Sequence, residues 1–246
     1  MAYYTRAGLT IYHADLRDIL PTLAPVDLIA TDPAYRGISG GKTPNPVKPT
    51  GILAANDGRL FEHNDIDTSD YAHLFYAALK DPAHCYVMIN NLNLEAALTD
   101  FRQAGFQFHN LLVWDKGNAT PNNWYMKNFE PILFFRKGAA FPINNRSAQA
   151  ALSHPNPRNK LHPTEKPETL MRELIQNSSQ PGQVVLDPFM GSGSTLEAAY
   201  KSKRQAIGID IDEKYCQIAA ERLDRLLHRP MYQISLDSVL QANVTS

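Results

Sequence analysis

Two short motifs carry side chains that could do chemistry, and the first is Asp32-Pro33-Ala34-Tyr35. It follows the apolar run 26–31 directly, so it stands at the end of a predicted strand. The Asp32 carboxylate and the Pro33 carbonyl are hydrogen-bond acceptors, and Tyr35 offers a flat ring for stacking. Two acceptors beside an aromatic face fit a planar ring that carries an exocyclic amine. Asp-Pro is also a common turn signal, so the tetrapeptide alone fits an ordinary turn as well.

The second motif is a glycine-rich loop between a predicted strand, 184–187, and a predicted helix, 194–202. Gly191 and Gly193 let the backbone come close to a ligand at the helix N-terminus. Asp210 ends the next predicted strand, about 20 residues after the first glycine, where an acid can hydrogen-bond ribose hydroxyls. The pattern therefore indicates a ligand that contains adenosine. A tight turn with an incidental acid downstream is the alternative.

The other residues of this loop narrow the class of ligand. A dinucleotide fingerprint would place a third glycine where this chain has Leu196, and a phosphate loop would carry Gly-Lys-Ser/Thr. The loop contains no cation to neutralise phosphates, whereas Asp187 at its start would suit a cationic ligand. These features disfavour a dinucleotide oxidoreductase.

Short apolar runs alternate with helical patterns along most of the chain, and these elements must position the two motifs. Strands are predicted over residues 9–13, 26–31, 84–89, 108–114, 130–135, 184–187 and 205–210. Helices are predicted over residues 16–22, 71–79, 92–104, 169–176, 194–202 and 213–227. This alternation indicates an α/β protein with a single open, mostly parallel sheet of seven strands and helices on both faces. No helix separates strands 108–114 and 130–135, so they are expected to pair antiparallel at one edge.

Length and composition exclude several classes of protein. The chain has 246 residues, 43% of them hydrophobic, and a formal net charge of -1, which is ordinary globular composition. No stretch approaches the ~20 apolar residues of a membrane span and no signal peptide is evident, so a cytoplasmic protein without a membrane is expected. Neither Cys85 nor Cys216 stands at metal-ligand spacing, so no metal is expected.

The near-zero net charge conceals an uneven distribution. Residues 53–100 contain two basic and eight acidic side chains, whereas residues 136–166 contain six basic and one acidic. Two long stretches, 36–65 and 137–168, are rich in Gly, Pro and polar residues, and loops of this length are usually functional or disordered. We expect one domain over residues 1–246, with an insert loop at 36–65.

Together the motifs resemble those of the β-class S-adenosylmethionine-dependent DNA amino-methyltransferases. Residues 32–35 are similar to the family's Asp-Pro-Pro-Tyr catalytic motif, and residues 187–195 to its methyl-donor motif. Residues 161–167 resemble the segment that lines the donor pocket. Residues 12–15 and 208–215 resemble the segments near the donor adenine and ribose. The catalytic motif precedes the donor motif, which is the circularly permuted β-class order.

The resemblance implies a Rossmann-like methyltransferase fold with S-adenosyl-L-methionine as the cofactor. The catalytic residues would be Asp32, Pro33, Ala34 and Tyr35. Ala34 stands where the family usually has a second proline, which removes some stiffness but keeps both acceptors. The residues expected to bind the donor are Asp15, His162, Thr164, Lys166, Asp187, Pro188, Phe189, Gly191, Ser192, Gly193, Ser194, Thr195 and Asp210.

The resemblance also implies double-stranded DNA as the substrate. Asp-Pro-x-Tyr is more typical of adenine-N6 than of cytosine-N4 enzymes, so the expected product is N6-methyladenine on a base flipped out of the duplex. The family's target-recognition segment corresponds to residues 137–160. So short a segment is typical of members that act as dimers, and a homodimer is expected. The residues expected to contact DNA are Arg36, Lys42, Asn122, Asn123, Trp124, Lys127, Arg146, Arg158 and Lys160.

Two further readings stay open. The same chemistry could act on cytosine N4 or on an amine in RNA. Alternatively, the chain could be an inactive homologue that binds S-adenosylmethionine, which Ala34 favours. The sequence does not say whether a companion restriction endonuclease exists.

Overall fold

The computed structural model describes residues 1–34, 66–120, 125–157 and 165–228. The strands in these ranges are β1 (Tyr4–Arg6), β2 (Leu9–His13), β3 (Val26–Thr31), β4 (Leu79–Met88), β5 (Gln107–Thr120), β6 (Lys127–Lys137), β7 (Ala151–Ser153), β8 (Val184–Asp187) and β9 (Gln205–Asp210). The α-helices are α1 (Leu16–Ile19), α2 (Thr68–Ala78), α3 (Leu94–Gln103), α4 (Glu168–Ser178), α5 (Ser194–Lys201) and α6 (Glu213–Leu227). A short 3-10 helix, Leu20–Thr22, follows α1.

All nine strands belong to one sheet, in the order β1-β2-β9-β8-β3-β4-β6-β5-β7. The strands β2, β9, β8, β3 and β4 run parallel to one another. The strand β6 is antiparallel to both neighbours, β4 and β5. At the two edges, β7 pairs parallel with β5, and β1 pairs antiparallel with β2. The predicted open, mostly parallel α/β sheet is therefore confirmed.

Two details of the predicted sheet are wrong. The sheet has nine strands rather than seven, and the antiparallel strand β6 lies inside it rather than at an edge. The three-residue strand β1 closes a hairpin with β2 through Ala7 and Gly8, whose φ angles of 52° and 79° suit a tight hairpin turn. The strand β7 is as short and buries only Leu152, so neither strand gives a clear hydrophobic pattern.

The strongly patterned elements form where the sequence predicts them. The strands β2, β3, β8 and β9 and the helix α6 have the predicted bounds. Asp212 caps α6 by accepting a hydrogen bond of 2.9 Å from the Lys214 amide, as its position predicts. The predicted helix 16–22 divides into α1 and the 3-10 turn, because Pro21 has no N–H to continue the α-helix.

Helices cover both faces of the sheet, also as predicted. On one face, α4, α5 and α6 pack in a core that includes Leu28 and Ala30 of β3. On the other face, α1, α2 and α3 pack in a core that includes Ile29. A strand buried on both sides must be apolar throughout, which explains the uninterrupted apolar run in β3. Within the described ranges, no helix is long and apolar enough to cross a membrane.

The chain changes direction in the sheet between β8 and β3. These two strands are adjacent and parallel, with Leu28 opposite Val185 and Ile29 opposite Leu186. After β8 the chain passes through α5 to β9 on one side, and after β3 it passes through α2 to β4 on the other. In open α/β sheets, ligands bind at the carboxyl ends of the strands at such a switch point. Both chemically equipped motifs follow these two strands.

Candidate functional site

The glycine-rich loop is held at the ends of β8 and β9. The Met190 amide donates to the Ile209 carbonyl at 3.1 Å, and the Gly191 amide donates to Asp210 Oδ2 at 2.9 Å. Gly191 and Gly193 have φ angles of 50° and 78°, which favour glycine, and Gly193 is the residue that precedes α5. A Cβ added at Gly191 would meet no atom of the described residues within 4 Å, so among these residues this side of the loop has room for a ligand. The buried residues of the loop and of the first turn of α5 are Pro188, Met190, Ser192, Gly193, Ser194 and Thr195.

Asp187 is a buried carboxylate between the two motifs. It is 3% exposed, and its Oδ1 accepts from the Thr31 hydroxyl at 2.6 Å and from the Phe189 amide at 3.2 Å. Burial raises the pKa of Asp187 to about 6, against the opposing hydrogen bonds that it accepts. Thr31 is the last residue of β3 and precedes Asp32, so this bond ties the donor motif to the catalytic motif. The sequence analysis misses Thr31, although a polar residue at the end of a buried strand is a usable signal.

On the other side of the glycine loop, Asp210 ends β9 and Asp15 stands two residues after the end of the neighbouring strand β2. His13 of β2 lies opposite Asp210 of β9, and the Ala14 amide donates to the Asp210 carbonyl at 3.0 Å. The Asp210 carboxylate accepts from the Gly191 and Asp212 amides, each at 2.9 Å. Asp15 caps α1 by accepting from the Arg17 amide at 2.8 Å, and hydrogen bonds from the Arg17 side chain lower the pKa of Asp15. Both carboxylates therefore lie at the carboxyl ends of the parallel strands, the side of the sheet where the donor is expected.

Asp32 follows β3 at the same carboxyl-end side of the sheet and forms a partly buried ion pair. The Lys166 ammonium donates to Asp32 Oδ2, and it also lies 3.4 Å from Glu130 Oε2. Burial alone would lower the pKa of Lys166, but the two carboxylates raise it well above its ordinary value. Pro33 is buried and Ala34 is half-buried. Lys166, predicted as a donor-binding residue, is thus placed beside the predicted catalytic carboxylate.

Glu130 is a site residue that the sequence analysis misses. It also pairs with Lys116 of β5, and although burial alone would raise the pKa of Glu130, the two lysines hold it below its ordinary value. The antiparallel strand β6 begins beside the end of β4, with Ile132 opposite Met88, so Glu130 lies at the same edge as Asp32. An acid at the start of an otherwise apolar antiparallel strand is the signal that could have revealed it.

A second group of buried ion pairs holds the segment before α4 against the donor loop. Arg222 of α6 donates to Glu165 Oε1 at 2.7 Å and also pairs with Glu197 of α5. The same guanidinium donates to the Ser192 carbonyl in the glycine loop at 3.3 Å. Glu165 and Lys166 are adjacent. The segment is therefore linked to the donor loop by Glu165 through Arg222, and to Asp32 directly by Lys166.

The residues predicted to contact DNA are only partly within the described ranges. Lys127 begins β6 at the edge where Asp32 lies. Arg146 is exposed in a turn beside the C-terminal end of α4, because Asn144 donates to the Gln176 and Ser179 carbonyls at 2.6 and 2.8 Å. That end of α4 leads into the start of β8, so Arg146 lies at the opposite edge of the sheet from Asp32. Ten predicted site residues lie outside the described residues: Tyr35, Arg36, Lys42, Asn122, Asn123, Trp124, Arg158, Lys160, His162 and Thr164.

Comparison with known proteins supports the reading of these motifs. The model of the DNA methylase family that covers N6 and N4 methyltransferases matches residues 26–221. The chain is 26% identical over 246 residues to the type II methyltransferase M2.DpnII of Streptococcus pneumoniae, covering 90% of this chain and 92% of that protein. It is 30% identical over 207 residues to the putative methylase YubD of Escherichia coli, covering 80% of this chain and 82% of that protein.

Among solved structures, the M1.HpyAVI–SAM complex has a TM-score of 0.68 at 24% identity, covering 87% of this chain and 99% of that chain. The cytosine-N4-specific PvuII DNA methyltransferase also has a TM-score of 0.68, at 16% identity, covering 88% of this chain and 86% of that chain. At these identities the likeness concerns the fold. The family match spans most of the sequence, and the chain belongs to the N6/N4 DNA methylase family.

Proposed function

We propose that the chain transfers the methyl group of S-adenosyl-L-methionine to the N6 amine of an adenine in double-stranded DNA. The observation that carries this proposal is the juxtaposition of two loops at the switch point of the sheet. The Thr31 hydroxyl bonds Asp187 of the donor motif at 2.6 Å, and Thr31 precedes Asp32 of the catalytic motif. A donor held by one loop would therefore lie next to a substrate held by the other.

The residues of the glycine loop fit the donor. The room in front of Gly191 admits a ligand close to the backbone, and Asp210, at the end of β9, is placed for ribose hydroxyls. Asp187 would hold the cationic amino-acid end of the donor near β8. The donor supplies an electrophilic methyl group on a sulfonium centre. The chain's own contribution is to fix the orientation of that centre toward Asp32.

On the substrate side, the Asp32 carboxylate and the Pro33 carbonyl would accept the two N–H bonds of the amine. This amine is a poor nucleophile because its lone pair is delocalised into the ring, and two acceptors draw the nitrogen toward a tetrahedral geometry. Holding the reacting atoms about 3–3.5 Å apart and in line provides much of the remaining rate. A base inside the duplex must first flip out, at a cost of a few kcal/mol, and stacking on Tyr35 would offset part of that cost.

Adenine is the proposed base because Asp32 stands first in the catalytic motif, as in adenine-N6 enzymes. Cytosine N4 is the second candidate, because the family to which the chain belongs covers both N6 and N4 methyltransferases. Both bases carry an exocyclic amine with two N–H bonds, so Asp32 and Pro33 could serve either. The surrounding pocket must therefore discriminate between them by size and by its contacts to the ring.

The organisation of the protein belongs to the same proposal. Residues 1–246 would form one methyltransferase domain, with an insert at 36–65 and a recognition segment at 137–160. In this segment, β7 and the residues after it approach the side of the sheet where Asp32 lies, because Leu152 lies opposite Trp114 and Trp114 lies opposite Glu130. These residues and the start of β6 are the proposed duplex-facing side. A homodimer would extend this surface, and sedimentation of the purified chain with and without DNA tests that part.

The experiment that tests the proposal measures transfer of a radioactive methyl group from the donor to polymerase-amplified, unmethylated plasmid DNA. Single-stranded DNA and an RNA transcript of the same sequence are run in parallel. The proposal expects incorporation into duplex DNA, abolished by Asp32→Ala. Incorporation into RNA alone would contradict the proposed substrate. Tight donor binding without incorporation into any polymer would identify an inactive homologue.

A further inference from the structure

Lys166 is the most buried cation at the proposed site, and its position does not match a simple donor-binding role. Its side chain is 9% exposed, and it lies between the carboxylates of Asp32 and Glu130. Isolated charges are rarely buried, because burial costs several kcal/mol unless an opposite charge compensates for it. The charge of Lys166 is compensated by Glu130 and by Asp32, the carboxylate that the proposed reaction uses.

Charges alternate in sign along a row from the surface to the site. The row runs from Lys116 on β5 to Glu130 on β6, then to Lys166 before α4, and ends at Asp32 after β3. Each member is carried by a different part of the chain, so the row ties the end of β3 to the antiparallel part of the sheet. A carboxylate bonded in this way has one preferred rotation, whereas an unpaired aspartate at a strand end would sample several.

We propose that Lys166, itself held by Glu130, is a positioning residue that orients the Asp32 carboxylate and keeps it ionised for the target amine. This inference rests on the proposed function of Asp32. Two carboxylates and one ammonium leave the inner three groups with a net charge of -1. That sign favours the positive charge that the amine nitrogen acquires as the N–C bond forms and the C–S bond breaks. The nitrogen then gives one proton to the Asp32 carboxylate, which passes it to solvent, and the sulfur keeps the electron pair of the broken C–S bond.

Substitutions of Lys166 and of Glu130 are expected to change the pH dependence of catalysis in opposite directions. Removing the cation with Lys166→Met favours protonation of Asp32. The acid limb of the profile of single-turnover rate against pH therefore moves to higher pH. Replacing Glu130 by Gln removes a carboxylate that competes with Asp32 for Lys166, so the acid limb moves to lower pH. If the two side chains only stabilised the fold, the two variants would not shift the acid limb in opposite directions.

The experiment follows single-turnover methyl transfer to unmethylated duplex DNA between pH 5 and pH 9, with donor and DNA both saturating. Donor affinity is measured separately by calorimetry. Lys166→Met is expected to lower the rate about 100-fold, to leave the donor Kd within threefold and to raise the acid limb by at least half a pH unit. Lys166→Arg restores the limb because it restores the charge. Lys80→Met, which removes a Lys–Asp pair of 2.7 Å with Asp27 at the other edge of the sheet, is the matched control and should match wild type.

Several outcomes overturn the inference. A Lys166→Met rate within threefold of wild type contradicts it, as does an unchanged acid limb. A donor Kd that rises more than tenfold with little change in saturated rate would instead make Lys166 a donor-binding residue. If Lys166→Met fails to fold, Glu130→Gln decides, since a limb that does not move to lower pH refutes the positioning role. If the wild-type protein transfers no methyl group to DNA, the proposed function is wrong, and the inference, which rests on it, is wrong as well.

Discussion

The substitution Asp187→Asn removes the negative charge of the donor motif and preserves its shape. The variant keeps the size of the side chain, and its amide oxygen can still accept from the Thr31 hydroxyl and the Phe189 amide, which share Oδ1 in the wild type. The other side-chain partner, Thr195, carries a hydroxyl that can accept from the new amide group. Stability and donor affinity should therefore respond to the loss of one buried charge rather than to a broken loop.

The magnitude follows from the pKa. Burial raises the pKa of Asp187 from 3.8 to about 6, a difference worth ~3 kcal/mol at 1.36 kcal/mol per unit. A carboxyl whose folded-state pKa is raised contributes its stability below the unfolded pKa and loses it as the pH rises through about 6. About 2 kcal/mol of this loss falls between pH 4.5 and pH 8. The Asn variant does not lose this stability. The free energy of unfolding of the variant minus that of wild type should therefore rise by about 2 kcal/mol from pH 4.5 to pH 8.

Donor affinity gives the second readout. A cationic ligand needs the ionised carboxylate, so the wild-type affinity for S-adenosylmethionine should fall up to tenfold per pH unit as the pH drops below about 6. The variant should bind about 10- to 100-fold more weakly at pH 8, the value of a hydrogen bond to a charged group. Its affinity should also lose this pH dependence.

Urea unfolding between pH 4.5 and pH 8 and calorimetric titration of the donor between pH 5 and pH 8 measure both effects. Asp18→Asn, at an exposed carboxylate on α1, controls for the loss of one negative charge. A wild-type donor affinity that is flat across this range would refute the role of Asp187 toward the cationic end of the donor. A stability difference that does not change with pH would refute the raised pKa.

Three further changes test other parts of the site. Asp32→Ala should abolish methyl transfer and leave the donor Kd within about threefold, whereas unchanged turnover would remove Asp32 from the mechanism. Thr31→Val deletes a hydrogen bond that lowers the pKa of the buried Asp187. The variant should bind the donor about tenfold more weakly at pH 7, and the fall of donor affinity at low pH should begin at a higher pH. Calorimetry measures both effects. Arg222→Met leaves Glu165 buried without its cation, which costs about 3–5 kcal/mol and should lower the Tm by roughly 10 °C. Arg6→Met, in an exposed pair with Asp224, should change the Tm by under 2 °C in the same scan, because exposed pairs contribute little.

The sequence predicts the parts of the fold that have strong local signals. The apolar run of β3, the strand β8 before the glycine loop and the capped amphipathic helix α6 all have their predicted bounds. The position of β6 inside the sheet could not be predicted, because it depends on contacts between β4 and β6 that lie more than 40 residues apart. Local patterns specify elements, and the order of strands follows from packing of the whole chain.

The site divides in the same way. Asp32 follows a predicted strand, and Asp187 and Asp210 are the last residues of two others. The rule that ligands bind at the carboxyl ends of parallel strands places the three together. The antiparallel pairing of β5 with β6 is predicted, but Glu130 and Lys116 escape prediction because their approach to Asp32 depends on the nonlocal pairing of β6 with β4. The pairing of Lys166 with Asp32 is similarly nonlocal, since 134 residues separate them. The ion pairs of a site are thus harder to read from a sequence than the loops that present its reactive groups.

The most direct test of the central claim identifies the methylated nucleoside. Duplex DNA treated with the purified chain and S-adenosylmethionine is digested to nucleosides and analysed by mass spectrometry, with the Asp32→Ala variant in parallel. The account predicts N6-methyldeoxyadenosine from wild type and none from the variant. N4-methyldeoxycytidine would contradict the assignment of the base, and the absence of any methylated nucleoside would contradict methyl transfer itself.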